Sequence, residues 1–115
     1  MAYIKIERLN HVYQEEISLI LLREVKNQEL KFVTITGVDI TNDLSLARVY
    51  YTVLNEDKKE LIEKSLLKAA SFIRTKLAAR VNIRHTPELK FIYDDSIEYG
   101  EHIEKIIEKI HKEEK

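Results

Sequence analysis

The side chains best suited to a chemical task are cations in the second half of the chain. Lys76, Arg80 and Arg84 are spaced by four residues, so they would form one row if the helix carrying them continued to Arg84. Lys68 and Arg74 flank this row. Such a row suits phosphate groups, because their attraction to cations is long-range and independent of base sequence. The alternative is an ordinary solvated helix face that binds nothing.

The charge around this row is unevenly distributed. From residue 64 to residue 90, seven Lys and Arg side chains are opposed by Glu88 alone, which leaves +6 in a chain whose net charge is −1. Phe72 and the Tyr50–Tyr51 pair could stack on nucleic-acid bases. For these aromatic rings we favour packing in the core or on the sheet.

Patterns for catalysis or metal binding are weak. The four histidines show no metal-ligand spacing: His11, His85, His102 and His111. The chain has no cysteine, which excludes disulfides and thiolate metal sites. Asp94 and Asp95 are adjacent carboxylates, but Glu98 follows three residues after Asp95 and favours helix capping over acid–base catalysis. Two glycines are too few for a glycine-rich phosphate loop. We predict a protein that is not an enzyme and needs no cofactor or metal.

Length and composition place limits on the class of protein. The chain has 115 residues, of which 44 % are hydrophobic and 34 % charged, as expected for one globular domain. The longest apolar run, residues 19–22, is too short to span a bilayer. The first residues lack the apolar core of a signal peptide. We therefore predict a cytoplasmic protein that makes no membrane contact. As a separate expectation, we predict a monomer.

The hydrophobic period predicts the elements that position the basic residues. Apolar residues recur every three or four positions over residues 7–27, 55–70 and 71–81, which predicts three helices. Alternating apolar residues predict strands over residues 30–40, 47–53 and 89–93. A last helix with an isoleucine stripe is predicted over residues 97–115. Helices covering one three-stranded sheet make a two-layer α+β domain.

The first two strands are predicted to form a hairpin with one irregularity. The alternation of Val33 and Ile35 slips by one position before Val38 and Ile40. A β-bulge at Gly37 would return the later pair to the buried side. The polar residues 41–43 have turn chemistry, and we expect a loop longer than two residues.

Four segments resemble the ribosome-binding factor A family, in the same order and at matching spacing. They are DLSLARVY at 43–50, SFIR at 71–74, PELKF at 87–91 and YDDS at 93–96. The resemblance covers roughly residues 7–100. It implies a type II KH-like domain, α-β-β-α-α-β, over residues 1–96. The isoleucine stripe of residues 97–115, and not the resemblance, predicts an added helix packed on that domain. The resemblance also implies binding to the immature small (30S) ribosomal subunit and its 16S rRNA during late maturation and rRNA processing, without a small-molecule substrate.

The resemblance also directs attention to particular residues. Family members open the first helix with two arginines three residues apart, and here Arg8 is followed by His11. An Asp-Pro-Arg segment after that helix is replaced by residues 27–29, Asn-Gln-Glu, and one positive charge is lost. The basic row and the resemblance together predict RNA contact by seven residues: Arg8, Lys68, Arg74, Lys76, Arg80, Arg84 and His85.

The family's Ala-x-Gly kink between the two middle helices corresponds here to Ala69, Ala70 and Ser71. A serine can permit a bend by hydrogen bonding to a backbone carbonyl, although it lacks the conformational freedom of glycine. We expect a kink at this position, and the alternative is a nearly straight helix.

A second hypothesis keeps the fold but not the RNA. A KH-like module could bind a protein through the exposed edge of the hairpin or through the isoleucine stripe of residues 97–115. Fold alone does not separate the two hypotheses, since one fold serves many functions.

Overall fold

Two helices and three strands make up the described part of the chain, residues 5–54 and 56–95 of a computed structural model. In order they are α1 (Ile6–Arg23), β1 (Val33–Ile40), β2 (Leu46–Val53), α2 (Lys59–Arg80) and β3 (Glu88–Tyr93). Short 3-10 turns lie at Gln28–Phe32 and Glu56–Lys58. The predicted helix over residues 97–115 lies outside the described residues.

The sheet is mixed, and β2 is its central strand. β2 pairs antiparallel with β1 and parallel with β3. A parallel pair requires a long crossover connection, and α2 supplies it. The inward side chains of the strands and of both helices form one hydrophobic cluster, so the helices cover one face of the sheet. The predicted α+β, two-layer, KH-like architecture is confirmed.

The irregularity in β1 is a β-bulge. Ile35 pairs with Tyr51 and Gly37 pairs with Tyr50, which leaves Thr36 as the extra residue. The bulge returns Val38 to the buried side, as predicted. Gly37 does not have a positive φ, and no heavy atom lies within 4 Å of an added Cβ. The bulge therefore does not depend on the freedom of glycine.

Side chains of α1 satisfy backbone groups along the outer edge of β1. Asn10 Oδ1 accepts a hydrogen bond from the Ile40 backbone N–H at 2.9 Å. Gln14 Nε2 donates to the Ile35 carbonyl at 3.1 Å. Helix α1 thus partly covers an edge that could otherwise pair with another strand.

The turn between β1 and β2 spans residues 41–45, so the loop is longer than two residues, as predicted. Asp43 is its centre, because its Oδ1 accepts hydrogen bonds from the Thr41 hydroxyl at 2.7 Å and from the Ser45 hydroxyl at 2.7 Å. These bonds and one from the Ser45 backbone N–H lower the pKa of Asp43 to about 2. Leu44 adopts a φ of 62°, a conformation that few residues other than glycine and asparagine adopt readily.

The prediction of two middle helices is wrong, because α2 continues unbroken through Ala69, Ala70 and Ser71. Alanine has the highest helix propensity, and no glycine or proline is present to interrupt the hydrogen-bonding pattern. The Thr75 hydroxyl donates to the Ser71 carbonyl at 2.9 Å within the helix. The expected kink therefore does not divide the helix, and residues on both sides of it belong to one surface.

Tyr13 is fully buried in the core, and its hydroxyl has no hydrogen-bond partner among the described residues. Burial raises the pKa of Tyr13 to about 12. Since a buried hydroxyl without a partner is destabilising, Tyr13→Phe is expected to raise the free energy of unfolding by about 1 kcal/mol. Urea denaturation checks this as a higher midpoint with an unchanged m-value. A lower midpoint would mean that the hydroxyl is satisfied in solution.

Candidate nucleic-acid interface

From residue 64 onward the outer surface of α2 is positively charged, because no acidic residue occurs between Glu63 and Glu88. Leu66, Ile73 and Leu77 on this helix are fully buried and define its inner side. Lys64 and Lys68 each lie two positions from Leu66, about 160° around the axis at 3.6 residues per turn. Both are exposed to solvent. The helix therefore presents lysines on the side opposite the core.

Lys76 joins these two residues, and Phe72 lies between it and Lys68. Helical geometry places Lys64, Lys68 and Lys76 within about 120° of the circumference, and we call these three residues the lysine face. Lys76 Nζ lies 5.4 Å from the centroid of the Phe72 ring, within the range of a cation–π contact. The Phe72 side chain is 42 % exposed and is not part of the hydrophobic cluster, so the prediction that it packs in the core or on the sheet is wrong.

Tyr51 does pack in the core, as predicted. It is 2 % exposed and makes edge-to-face contacts with Tyr93 at 5.7 Å and Phe91 at 6.5 Å between ring centroids. Tyr50 is half-buried on the other side of β2. Of the aromatic rings singled out from the sequence, Phe72 is therefore the one that lies beside the lysine face.

Arg80 does not belong to a free basic row. Its guanidinium contacts Glu16 Oε2 at 3.0 Å and Glu24 Oε1 at 2.8 Å, both on the α1 side of the domain. Hydrogen bonds to Glu16 and Glu24 raise the pKa of Arg80. Two carboxylates offset its charge, and Arg80 joins α1 to the end of α2. The prediction of a single row through Arg80 is wrong for this reason.

Arg84 also leaves the row, because α2 ends at Arg80 and helical spacing does not extend to residue 84. Arg74 lies about 160° from Lys76 around the helix. Its Nη2 and Nε donate to the Thr86 carbonyl at 2.9 and 3.3 Å. This bond attaches the loop carrying Arg84 and His85, both exposed, to the flank of α2. Arg74, Arg84 and His85 thus form a second group, which we call the loop group.

Arg8 is separate from both groups. It is exposed in the first half of α1, about 12 Å along the axis from Glu16, the residue that binds Arg80. His11 is exposed three residues later. The seven predicted contact residues therefore divide among the lysine face, the loop group, the Arg80 contact and the start of α1. Contact of these residues with RNA stays a prediction.

Glu29, in the Gln28–Phe32 turn, makes a contact with α2. Its Oε1 accepts a hydrogen bond from the buried Ser65 hydroxyl of α2 at 2.9 Å. A backbone hydrogen bond at Glu29 and the Ser65 hydroxyl lower the pKa of this carboxyl. Glu29 therefore provides a bond between the Gln28–Phe32 turn and α2.

The described residues offer little support for other chemistry. Within residues 5–54 and 56–95, no three His, Asp or Glu side chains are grouped so that they could hold a metal ion. Asp94 Oδ2 accepts a hydrogen bond from the Thr36 hydroxyl at 2.6 Å, which links the bulge in β1 to the end of β3. The predicted capping of a following helix by Asp95 and Glu98 lies outside the described residues. No helix in the described part of the chain is both long and apolar enough to cross a membrane.

A conservative substitution separates the role of Arg80 from that of the lysine face. Arg80→Gln is expected to lower the melting temperature by a few degrees, because Glu16 and Glu24 lose their partner, and to leave RNA affinity unchanged. Lys68→Gln is the matched control, and it should leave the melting temperature unchanged and weaken RNA binding. Thermal melts and RNA titrations of both variants test this assignment. Weaker RNA binding by a fully folded Arg80→Gln variant would show that Arg80 contacts the RNA.

Comparison with known proteins identifies the family of this fold. A family model described as Ribosome-binding factor A matches residues 5–107. A Ribosome-binding factor A from Staphylococcus epidermidis is 46 % identical over 116 residues and covers 100 % of both chains. The crystal structure of ribosome-binding factor A from Thermus thermophilus superposes with a TM-score of 0.70 at 22 % identity, over 78 % of this chain and 97 % of that one. The Thermus thermophilus factor as fitted into a cryo-EM map of its 30S complex gives 0.63 at 23 % identity, over 76 % and 93 %.

Proposed function

The chain belongs to the ribosome-binding factor A family, and from that membership we propose that it binds the immature small (30S) ribosomal subunit and assists its late maturation. The proposed ligand is 16S rRNA, and the proposed outcome is support of rRNA processing until the finished particle releases the protein. The related Thermus thermophilus factor has been placed in a complex with the 30S subunit, which supports this proposal.

The observation that carries the proposal is the lysine face. Lys64, Lys68 and Lys76 project from one helix, and the stretch from residue 64 to residue 87 contains no carboxylate. Glu60, four residues before Lys64, is the acidic neighbour of this face on the helix. RNA presents closely spaced phosphates, so three cations fixed on one helix surface can attract several phosphates at the same time. Contacts of this kind position a protein on folded RNA without reading base sequence.

The loop group extends the proposed surface. The bond from Arg74 to the Thr86 carbonyl fixes the loop that carries Arg84 and His85, which reduces the entropy lost when these side chains meet a phosphate. We propose that residues 1–96 form the RNA-binding domain and that residues 97–115 pack on it as a helix. We further propose a cytoplasmic, non-catalytic monomer without a cofactor.

The alternative of a protein-interaction module has less support. The edge of β1, which a partner strand would use, already has backbone groups bonded to Asn10 and Gln14. If that alternative held, truncation after residue 96 would abolish partner binding, while substitutions in the lysine face would have no effect.

Sedimentation with purified ribosomal particles tests the proposed function. The protein is expected to co-sediment with immature small subunits and to bind mature small subunits more weakly, with large subunits as the control for non-specific attraction to RNA. Equal binding to all three particles, or to none of them, would refute the proposal.

A further inference from the structure

We propose that Phe72 stacks on an unpaired base of RNA while Lys68 and Lys76 bind the neighbouring phosphates. This inference rests on the proposed function. It adds that the surface around Phe72 recognises one class of ligand, a single-stranded nucleotide. A contact made only by the lysine face requires phosphates alone and would accept a duplex equally well.

The position of Phe72 is set by the burial of the residue after it. Ile73 is fully buried, which fixes the rotation of α2 and directs Phe72 about 100° away from the core side. Phe72 is accordingly absent from the hydrophobic cluster that joins the helices to the sheet. Its exposure is therefore imposed by the helix and is not a local defect in packing.

A single exposed apolar side chain is common on protein surfaces, so exposure alone indicates no site. The charges beside Phe72 are what distinguish it. Lys68 lies four residues before it and Lys76 four residues after it, the two positions that neighbour it along a helix surface. Leu67, which is 67 % exposed, has Glu63 and Ser71 at the corresponding positions.

Cations on both sides of an aromatic ring match the two parts of an unpaired nucleotide. The base provides a π-face that stacks on the ring, and the phosphates on either side of the nucleotide carry the negative charges. A base inside a duplex has both faces covered by its neighbours, so it cannot stack on Phe72 without leaving the helix. The site should therefore prefer single-stranded RNA and should tolerate any base, since every base has a π-face.

The absence of tryptophan from the chain gives a direct assay. Phe72→Trp would contain one tryptophan, placed at the proposed stacking position. Its fluorescence is expected to be quenched on titration with an unstructured RNA oligonucleotide and to change little with an RNA duplex of the same length. Leu67→Trp is the matched control on the same helix and should respond to neither. An unquenched Phe72→Trp signal under conditions where the RNA binds would overturn the inference.

Removal of the ring provides a second test on the whole particle. Phe72→Leu keeps an apolar side chain and all the charges, so its affinity for immature small subunits is expected to fall about tenfold while the salt dependence stays that of the unmodified protein. Full binding by Phe72→Leu would reject the stacking role and leave the proposed function intact. Failure of the unmodified protein to bind would reject the proposed function itself. A blue-shifted, unquenched Phe72→Trp emission on the particle would indicate an apolar protein contact instead, which also rejects stacking.

Discussion

Reversal of the lysine face, by Lys64→Glu, Lys68→Glu and Lys76→Glu together, is expected to reduce affinity for immature small subunits by at least about 100-fold. Each attraction between unit charges 4 Å apart is worth about 1 kcal/mol even in bulk water, and reversal replaces attraction by repulsion. The fold should persist, because Lys64 and Lys68 point away from the core and Lys76 contacts the exposed Phe72. Arg80 is left unchanged because its contacts with Glu16 and Glu24 hold the helices together.

The matched control reverses three lysines elsewhere, Lys26, Lys31 and Lys90, and changes the net charge by the same amount. Lys90 is exposed on the face of the sheet opposite α1 and α2, since its neighbours Leu89 and Phe91 pack against the core. Co-sedimentation and circular dichroism of both variants separate loss of the interface from loss of the fold. Equal weakening in the two variants would mean that overall charge matters and that the lysine face does not.

Leu66→Ala is expected to destabilise the protein by about 2–5 kcal/mol, whereas Leu67→Ala should change its stability by less than about 0.5 kcal/mol. The two substitutions remove the same atoms from adjacent residues of α2. Leu66 is 0 % exposed, so its removal leaves a cavity against the sheet, while Leu67 is 67 % exposed. Thermal melts should show a decrease of roughly 10 °C or more for the first variant only.

This pair tests the orientation of α2, on which the placement of the lysine face depends. Because helical residues two positions apart lie on nearly opposite sides, a buried Leu66 requires that Lys64 and Lys68 face solvent. Similar losses of stability in Leu66→Ala and Leu67→Ala would show that the helix is rotated or buried on both sides, and the lysine face would then have to be reassigned.

The sequence predicts the fold well because the signals for it are local and periodic. The alternation of buried residues shifts by one position between Ile35 and Val38, and this shift predicts the bulge. With a period of two, one extra residue in the strand returns Val38 and Ile40 to the buried side. The pairing of β2 with β3 is not local, and it follows instead from the resemblance to a family with that topology. The predicted boundary at Ala69–Ser71 is wrong because alanine has a high helix propensity and no residue in that stretch interrupts the helix.

The candidate site is less predictable, because its contacts join distant parts of the chain. Arg80 is 64 residues from Glu16, and no local pattern indicates that these side chains meet. Lys76, Arg80 and Arg84 are spaced by four residues, but this spacing makes a row only in a helix that continues to Arg84, and α2 ends at Arg80. Residue type favours packing of Phe72 in the core or on the sheet, although its position beside the buried Ile73 directs it outward.

The salt dependence of binding to immature small subunits tests the central claim most directly, because the claim is that phosphates meet the lysine face. Affinity should fall steeply with salt, with a slope of log affinity against log salt concentration of about −2 or steeper from three lysine contacts. Reversal of Lys64, Lys68 and Lys76 should remove most of that slope. A slope near zero in the unmodified protein, or an equal slope in the variant, would contradict an electrostatic interface on α2.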